Sequence, residues 1–251
     1  MKKNLLILIL FPLLVNAQIN KPDQIKFVTD FVNCFKNNDR EKLVTFISFP
    51  LDRPYPIPDI NDSKEFLLRY DQLFDVTLIK KIKESDIKKD WNEMGWRGIM
   101  FNNGTLWLEP HIKKLIDLNY QTQKEKALKQ NLIEKERNFI YPTLRKYKRP
   151  VLVMETSKFK IRIDEIEDNV YRFASWSIDK TMNELPDLVI PNGKRISNGT
   201  GGNHNFIFKN NGYTYDCSII VLGHQDSPPA ELSVYTNKKQ ILSEPVITLK
   251  Y

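Results

Sequence analysis

The second half of the chain is built from short segments in which apolar and polar residues alternate. The clearest is "SKFKIRIDEI" at 157–166, where Phe159, Ile161 and Ile163 occupy every second position. A period of two is typical of a β-strand with one buried face. Similar segments recur at 170–177, 187–190, 195–198, 205–208, 213–222, 232–235 and 246–249, with turn signals at 191–193, 211–212 and 227–229. This spacing predicts an all-β domain over 150–251, either a β-sandwich or a small barrel.

The segment "GTGGNHNFIFKNNGYTYDC" at 199–217 could be a phosphate-binding loop, a metal site or a hairpin. Its glycines lack the third glycine of a dinucleotide-binding loop, and a strand rather than a helix follows them. His204 and Cys217 are too few ligands for a metal ion, and His224 lies well beyond them in the sequence. The remaining interpretation is a hairpin with a two-residue turn at 211–212. It places His204 at the edge of an apolar face, so we predict a buried, hydrogen-bonded histidine.

The first half begins with helical patterns and ends with strand-like ones. Apolar residues at 25, 28, 31, 32 and 35 form one stripe, and Asp39 and Asp62 or Ser63 are placed to cap two further helices. Between these helices, prolines at 50, 54, 56 and 58 predict an extended surface segment. Strand-like segments follow at 76–79, 91–101, 105–109 and 112–118, with a hairpin signal at 103–104. This order predicts an α+β domain over 18–118, with helices on one face of a curved antiparallel sheet.

The first seventeen residues, 1–17, have the layout of a secretory signal peptide. Lys2 and Lys3 precede an apolar run at 5–15, and Ala17 stands at the expected cleavage position. The run is too short to span a membrane, and no later segment is long and apolar enough to do so. We therefore predict a secreted or periplasmic protein that is not membrane-spanning.

Cys34 and Cys217 both fall in apolar patterns, which predicts buried thiols, and a disulfide between them is the alternative.

A basic helical linker is predicted between the two domains, at 119–149. Residues 120–149 hold nine Lys and Arg against three Glu, a local net charge of +6 in a chain whose total is +7. The apolar stripe of this helix is narrow, so most of its surface should face solvent. A basic helix face of this kind either contacts an anionic surface or an acidic envelope partner, or is simply solvated. Nucleic acid is not a predicted partner, because the charge is confined to one segment of an exported chain.

Several segments of the chain resemble those of a known class of proteins. In the first half these are "DFVNCFKNNDREKLVTFISFPL", "EFLLRYDQLFD" and "GIMFNNGTLWL", and in the second "FKIRIDEIEDNVYRFASWS" and "GGNHNFIFKNNGYTYDCSIIVLG". With them the chain resembles exported bacterial two-domain proteins that have an NTF2-like (cystatin-like) N-terminal domain and an all-β C-terminal domain, a class without an assigned activity. The resemblance implies a cone-shaped first domain whose open end often holds a small-molecule pocket. Some NTF2-like proteins are isomerases or hydratases that use an Asp and a His.

Catalysis in such a cone needs a titratable pair beside an apolar pocket. The candidate acids are Asp59, Asp71, Asp75 and Glu109, and His111 is the only imidazole of the predicted domain. His111 falls in a predicted turn, and the carboxylates at 71 and 75 lie off the apolar stripe of their helix. We therefore predict no catalytic residue, no cofactor and no metal. The predicted function is a non-enzymatic binding or interaction protein, and an NTF2-like enzyme acting on a small molecule in the N-terminal cone is the alternative.

Large aromatic and arginine side chains are the candidate ligand-binding residues. The tryptophans of the first domain either line its pocket or belong to its core. On the polar face of the segments at 157–166 and 170–177, Arg and Trp are favoured binding anchors, and the alternative there is cross-strand charge pairing on a solvent face. The candidates are Trp91, Trp107, Arg162, Arg172, Trp176 and His204.

Overall fold

A computed structural model describes residues 18–224 and 226–251, which form two compact units. The first unit comprises residues 18–52 and Ile60–Thr122, and the second comprises Arg53–Asp59 and Gln123–Tyr251. The chain is α+β, with a few helices, a small antiparallel sheet and a large curled antiparallel sheet. The predicted signal peptide lies outside the described residues. The helix that we expected as a linker belongs to the second unit, and so does the central part of the proline-rich segment.

Four helices of the first unit begin where the sequence supplies a cap or a proline. They are α1 (Pro22–Lys36), α2 (Arg40–Val44), α3 (Ser63–Leu73) and α4 (Val76–Lys83). Pro22 opens α1, and Asp39, Asp62 and Asp75 each accept a backbone N–H three residues further on, which satisfies a donor that the first turn leaves unpaired.

The fourth helix corrects the strand predicted at 76–79. The β-branched start of this segment suggested a strand, but Asp75 caps it and Leu78 and Ile82 are buried one helical turn apart. Amphipathic helical packing therefore overrides the local β-propensity of Val76 and Thr77.

The small sheet of the first unit follows chain order, β1-β2-β3-β4, and is antiparallel throughout. Its strands are β1 (Trp91–Glu93), β2 (Ile99–Phe101), β3 (Leu106–Glu109) and β4 (Lys114–Leu118). The hairpin signal at 103–104 is realised as a short 3-10 turn, Asn102–Gly104, rather than as a two-residue turn. Side chains from the helices and from this sheet form one core, in which Phe31 and Phe35 pack edge to face with Trp91 and Phe74.

The second unit contains one long helix and nine strands. The helix is α5 (Gln123–Phe139). The strands are β5 (Arg149–Glu155), β6 (Phe159–Glu167), β7 (Val170–Ser177), β8 (Leu188–Ser197), β9 (His204–Asn210), β10 (Tyr213–Ile219), β11 (Ala230–Thr236), β12 (Lys239–Pro245) and β13 (Thr248–Lys250). They form one antiparallel sheet in the order β12-β11-β10-β9-β8-β7-β6-β5-β13.

The large sheet curls because its two edge strands are consecutive in the chain. Strands β12 and β13 lie at opposite edges, yet only Val246 and Ile247 separate them. The Val246 N–H donates to the carbonyl of Ala230 on β11, and the Ile247 N–H donates to that of Glu155 on β5. Two adjacent residues thus bond to strands near opposite edges, which requires those edges to approach each other.

Strand β8 corrects a second expectation. The signals at 191–193 predicted a turn between two short strands, but the structure has one ten-residue strand with an irregularity in its pairing to β7. Asn192 has a positive φ of 63° there. A bulge accommodates this conformation and a proline without ending the strand, and it bends the sheet.

The two faces of the curled sheet bury different kinds of side chain. The concave face carries an apolar core that includes Ile161, Phe173 and Phe208. On the other face of β7, Ala174 and Trp176 pack against Ile133 of α5 and against apolar residues from 140–147. The outer face of β6 and β7 is therefore covered by the helix and the segment that follows it.

Candidate functional site

An apolar cavity of about 370 Å³ opens inside the curled sheet of the second unit. Its position follows largely from the period of two, because most of the lining residues are inward-facing ones of β6, β7, β8, β10 and β11, and β12 and Asp187 supply the rest. The apolar part of the wall consists of Phe159, Phe173, Leu188, Leu232, Val234, Ile241 and Leu242. We call this space the apolar cavity.

Two tyrosines follow the β9–β10 turn and form another wall of the apolar cavity. Asn211 and Gly212, with φ values of 48° and 81°, make the predicted two-residue turn, after which Tyr213 and Tyr215 point to the same face. The ring of Tyr215 lies 5.7 Å from that of Phe173. Burial raises the pKa of Tyr215, and Tyr213 beside it adds to this effect, so the Tyr215 phenol stays neutral at physiological pH.

The polar part of the apolar cavity is concentrated near the end of β7. Ser175 and Ser177 continue the inward-facing positions of that strand, and Asp187 stands beside them. The carboxylate of Asp187 accepts hydrogen bonds from Lys180 and from the backbone and hydroxyl of Ser177, the last two at 2.7 and 2.8 Å. These bonds lower the pKa of Asp187 to about 2. The rim therefore carries an ion pair rather than an uncompensated charge.

The structure places two predicted site residues, Arg162 and Arg172, in a buried charge cluster. The Arg162 side chain is fully buried, and its guanidinium contacts both Asp164, at 2.7 Å, and Glu136 of α5. The Arg172 guanidinium contacts Asp164 at 2.6 Å. Burial acts to lower the pKa of Arg162, but the neighbouring carboxylates of Asp164 and Glu136 raise it, so its charge is retained. Tyr55 donates a hydrogen bond to Glu136 and completes the cluster.

This arrangement corrects the expected exposed patch on β6 and β7. The sequence suggested a solvent or ligand-facing surface, but α5 and the 140–147 segment cover it, so its arginines meet carboxylates of the same unit. Trp176 is also fully buried there, and its indole N–H donates to the carbonyl of Glu184 at 2.9 Å. These side chains hold the helix on the sheet, and none of them lines the apolar cavity.

The two candidate tryptophans of the first unit differ in their surroundings. Trp91 is fully buried, contacts Phe101 with ring centroids 4.5 Å apart, and donates its indole N–H to the hydroxyl of Ser85. Trp107 is half-buried on the face of β3 opposite Leu106 and Leu108. Trp91 is therefore a core residue of the first unit, and the two indoles lie on opposite sides of their sheet.

The hairpin prediction for 199–217 is confirmed in register and in the environment of His204. His204 pairs with Ile219, and Phe206 with Cys217, on the predicted shared face. The His204 side chain is 6% exposed, and its Nδ1–H donates to the carbonyl of Gly202 at 2.8 Å. Burial lowers the pKa of His204, so the imidazole is neutral at physiological pH. Cys34 and Cys217 are buried, free thiols.

The acids considered for catalysis have structural partners. Asp71 pairs with Arg40 at 3.0 Å, Asp75 caps α4, and Asp59 accepts the backbone N–H of Arg53. The Glu109 carboxylate accepts the backbone N–H of the exposed His111. Within 18–224 and 226–251, no three His, Cys, Asp or Glu side chains are grouped so as to hold a metal ion.

Sequence reasoning missed the residues that line the apolar cavity. The strand at 170–177 was predicted, but the site that its residues Phe173 and Ser175 line was not. Ser175 and Ser177 could have indicated the cavity, because both occupy inward-facing positions of their strand. A small polar side chain on a core face leaves space beside it.

The chain matches no protein-family model, no curated protein and no solved structure. Among the helices of the described residues, none is long and apolar enough to cross a membrane.

Proposed function

We propose that this protein is an exported, non-enzymatic binding protein that holds a small, largely apolar molecule in the apolar cavity. The observation that carries the proposal is the cavity itself, with a volume of about 370 Å³ inside a β-rich unit. Small-molecule sites are usually concave, mostly apolar and about 300–1,000 Å³ in volume, with a few polar groups that orient the ligand. The space corresponds to about twelve water molecules at about 30 Å³ each.

The walls of the apolar cavity favour a neutral molecule with one polar end. Phe173, Leu188 and Leu242 offer apolar contact, whereas Ser175, Ser177 and the tyrosine hydroxyls offer hydrogen bonds. Asp187 is already neutralised by Lys180, so a charged ligand gains little at the rim. An apolar body with a hydroxyl, carbonyl or amide end fits these groups.

The wider identity of the protein is part of the same proposal. The N-terminal "KKNLLILILFPLLVNA" supports export. In the first unit, helices followed by a four-stranded meander support an NTF2-like domain, and in the second unit the approach of β12 and β13 supports a small barrel. The basic residues of 120–149 remain the predicted contact for an anionic surface.

The test uses the mature chain and a neutral fluorophore that brightens in apolar surroundings, N-phenyl-1-naphthylamine. Ser175 is a buried residue of the cavity wall, and Ser175→Leu places a larger side chain in that space. We therefore expect probe affinity to fall by at least about tenfold, or about 1.4 kcal/mol. The control is Thr214→Leu, because Thr214 lies between the two tyrosines but on the opposite face of β10. It should bind the probe like the unmodified chain. No binding by the unmodified chain, or equal binding by Ser175→Leu, contradicts the proposal.

A further inference from the structure

A second cavity, of about 210 Å³, lies toward the other end of strand β7 in the second unit. Tyr171, near the start of β7, lines it, whereas Ser175 and Ser177 near the end of the strand line the apolar cavity. Its walls carry the aromatic rings of Tyr55, Tyr171, Phe206 and Tyr251, and its charged side chains are all basic. We call it the cationic cavity.

Three cations from separate elements converge on the cationic cavity. They are Lys129 of α5, Arg149 at the start of β5 and Arg195 of β8. Arg195 pairs with Phe206 across β8 and β9, so it shares the concave face with that buried ring. Lys129 follows Glu125 by one helical turn, on the side of α5 that is packed in the unit.

The carboxylates near the cationic cavity do not balance these charges. Glu125 is paired with Arg53 at 2.6 Å, with both side chains fully buried, and Glu165 is paired with Arg149 at 2.5 Å. Among the ion pairs of 18–224 and 226–251, none involves Lys129 or Arg195. Four basic and two acidic side chains around the cavity leave a charge of +2, and the terminal carboxylate of Tyr251, which also lines the cavity, reduces this to +1.

Lys129 shows the effect of this imbalance. Burial lowers its pKa, and the nearby charge of Arg149 lowers it further, while Glu125 acts in the opposite direction. A desolvated ammonium beside another cation is an unfavourable arrangement, and an anion in the cavity would relieve it.

We propose that the cationic cavity binds a small oxyanion, held by Lys129, Arg149 and Arg195 against Tyr171 and Phe206. The volume equals that of about seven water molecules, which suits inorganic phosphate or a four-carbon dicarboxylate. Arginine matches both groups because its guanidinium donates two parallel hydrogen bonds to an oxyanion. The site shares no lining residue with the apolar cavity.

Isothermal titration calorimetry on the mature chain tests this site, with inorganic phosphate in one arm and succinate in the other. Sodium chloride at equal ionic strength is the reference. We expect saturable binding in at least one arm, and which arm binds identifies phosphate or dicarboxylate as the source. Lys129→Gln and Arg195→Gln should each lower the affinity at least tenfold.

The matched control is Lys126→Gln, because Lys126 is an exposed lysine of the same helix that does not line the cavity. It should bind like the unmodified chain, and unchanged circular dichroism should show that all variants fold. Absence of saturable binding in both arms, or equal affinities for Lys129→Gln and Lys126→Gln, overturns the proposal. Lys129→Gln should still bind the neutral fluorophore, so failure here is distinguishable from failure of the apolar cavity.

Discussion

The role of an individual charged residue in the second unit depends on whether another element of that unit packs over it. Arg162 and Asp164 occupy the polar positions of a clean strand alternation, and that pattern alone predicts solvent exposure. In the structure Asp164 is 1% exposed and is shared by two guanidiniums. The sequence could not reveal this burial, because it depends on α5 packing across the sheet through Ile133 and Glu136.

Replacement of Asp164 by Asn tests the buried charge cluster. The change leaves the Arg162 and Arg172 guanidiniums buried without their shared carboxylate, so the free energy of unfolding should fall by about 3–5 kcal/mol. Urea unfolding followed by circular dichroism measures it. The control is Asp168→Asn, which removes an exposed partner of Lys148 and should leave the unfolding midpoint unchanged. Equal midpoints for the two variants would show that the cluster adds nothing to stability.

The buried imidazole of His204 predicts a pH dependence. Its pKa in the folded chain is lowered from 6.5, mainly by burial, so the unfolded chain binds the proton more tightly. His204 therefore contributes its full stability above pH 6.5, and this contribution is lost as the pH falls from 6.5 to its folded pKa. Proton NMR of the imidazole Hε1 signals measures the midpoint, and the signal missing from His204→Gln identifies the residue. A midpoint at or above 6.5 contradicts the prediction.

Whole elements were predictable where their signals are local. Helix α1 and the helices that follow Asp39 and Asp62 were predicted from a stripe or a cap, and the β9–β10 hairpin was predicted from its Asn-Gly turn. The start of helix α4 was predicted as a strand because its β-branched residues favour a strand, although Asp75 before them is a helix cap. Strand β12 was missed because most of its side chains are exposed and show no apolar alternation.

Strand β8 provides a prediction for a backbone position. A Cβ on Gly193 would lie 2.1 Å from the ring of Phe208, which is fully buried, so Gly193→Ala should destabilise the chain by about 1–3 kcal/mol. Combination with Phe208→Leu should cost less than the sum of the two single changes, because the smaller side chain relieves the clash.

The comparison is Gly212→Ala, where a Cβ meets no atom within 4 Å and the cost comes from the positive φ of 81°. Its effect should add to that of Phe208→Leu. Urea unfolding of the two double-mutant cycles measures both couplings. Equal coupling energies would show that Gly193 is needed for its backbone conformation and not for space beside Phe208.

At the scale of the whole molecule, the α+β class and the division near residue 120 followed from the change in hydrophobic period. The exact assignment of residues to the two units did not follow from this pattern. Residues 53–59 join the second unit because Arg53 pairs with the buried Glu125 of α5, and nothing local in "DRPYPIPD" indicates a partner so distant in sequence. Both cavities also depend on non-local strand pairing, which places residues from many strands around one space.

The approach of the two edge strands has a consequence for the order in which the second unit forms. Residues 239–250 supply both margins of the sheet, so every strand from β5 to β11 is made before either margin exists. Before these two strands are added, neither edge of the sheet is complete. The curled sheet therefore cannot close around its concave apolar face until then. Closure of this unit therefore waits for the last strands in chain order.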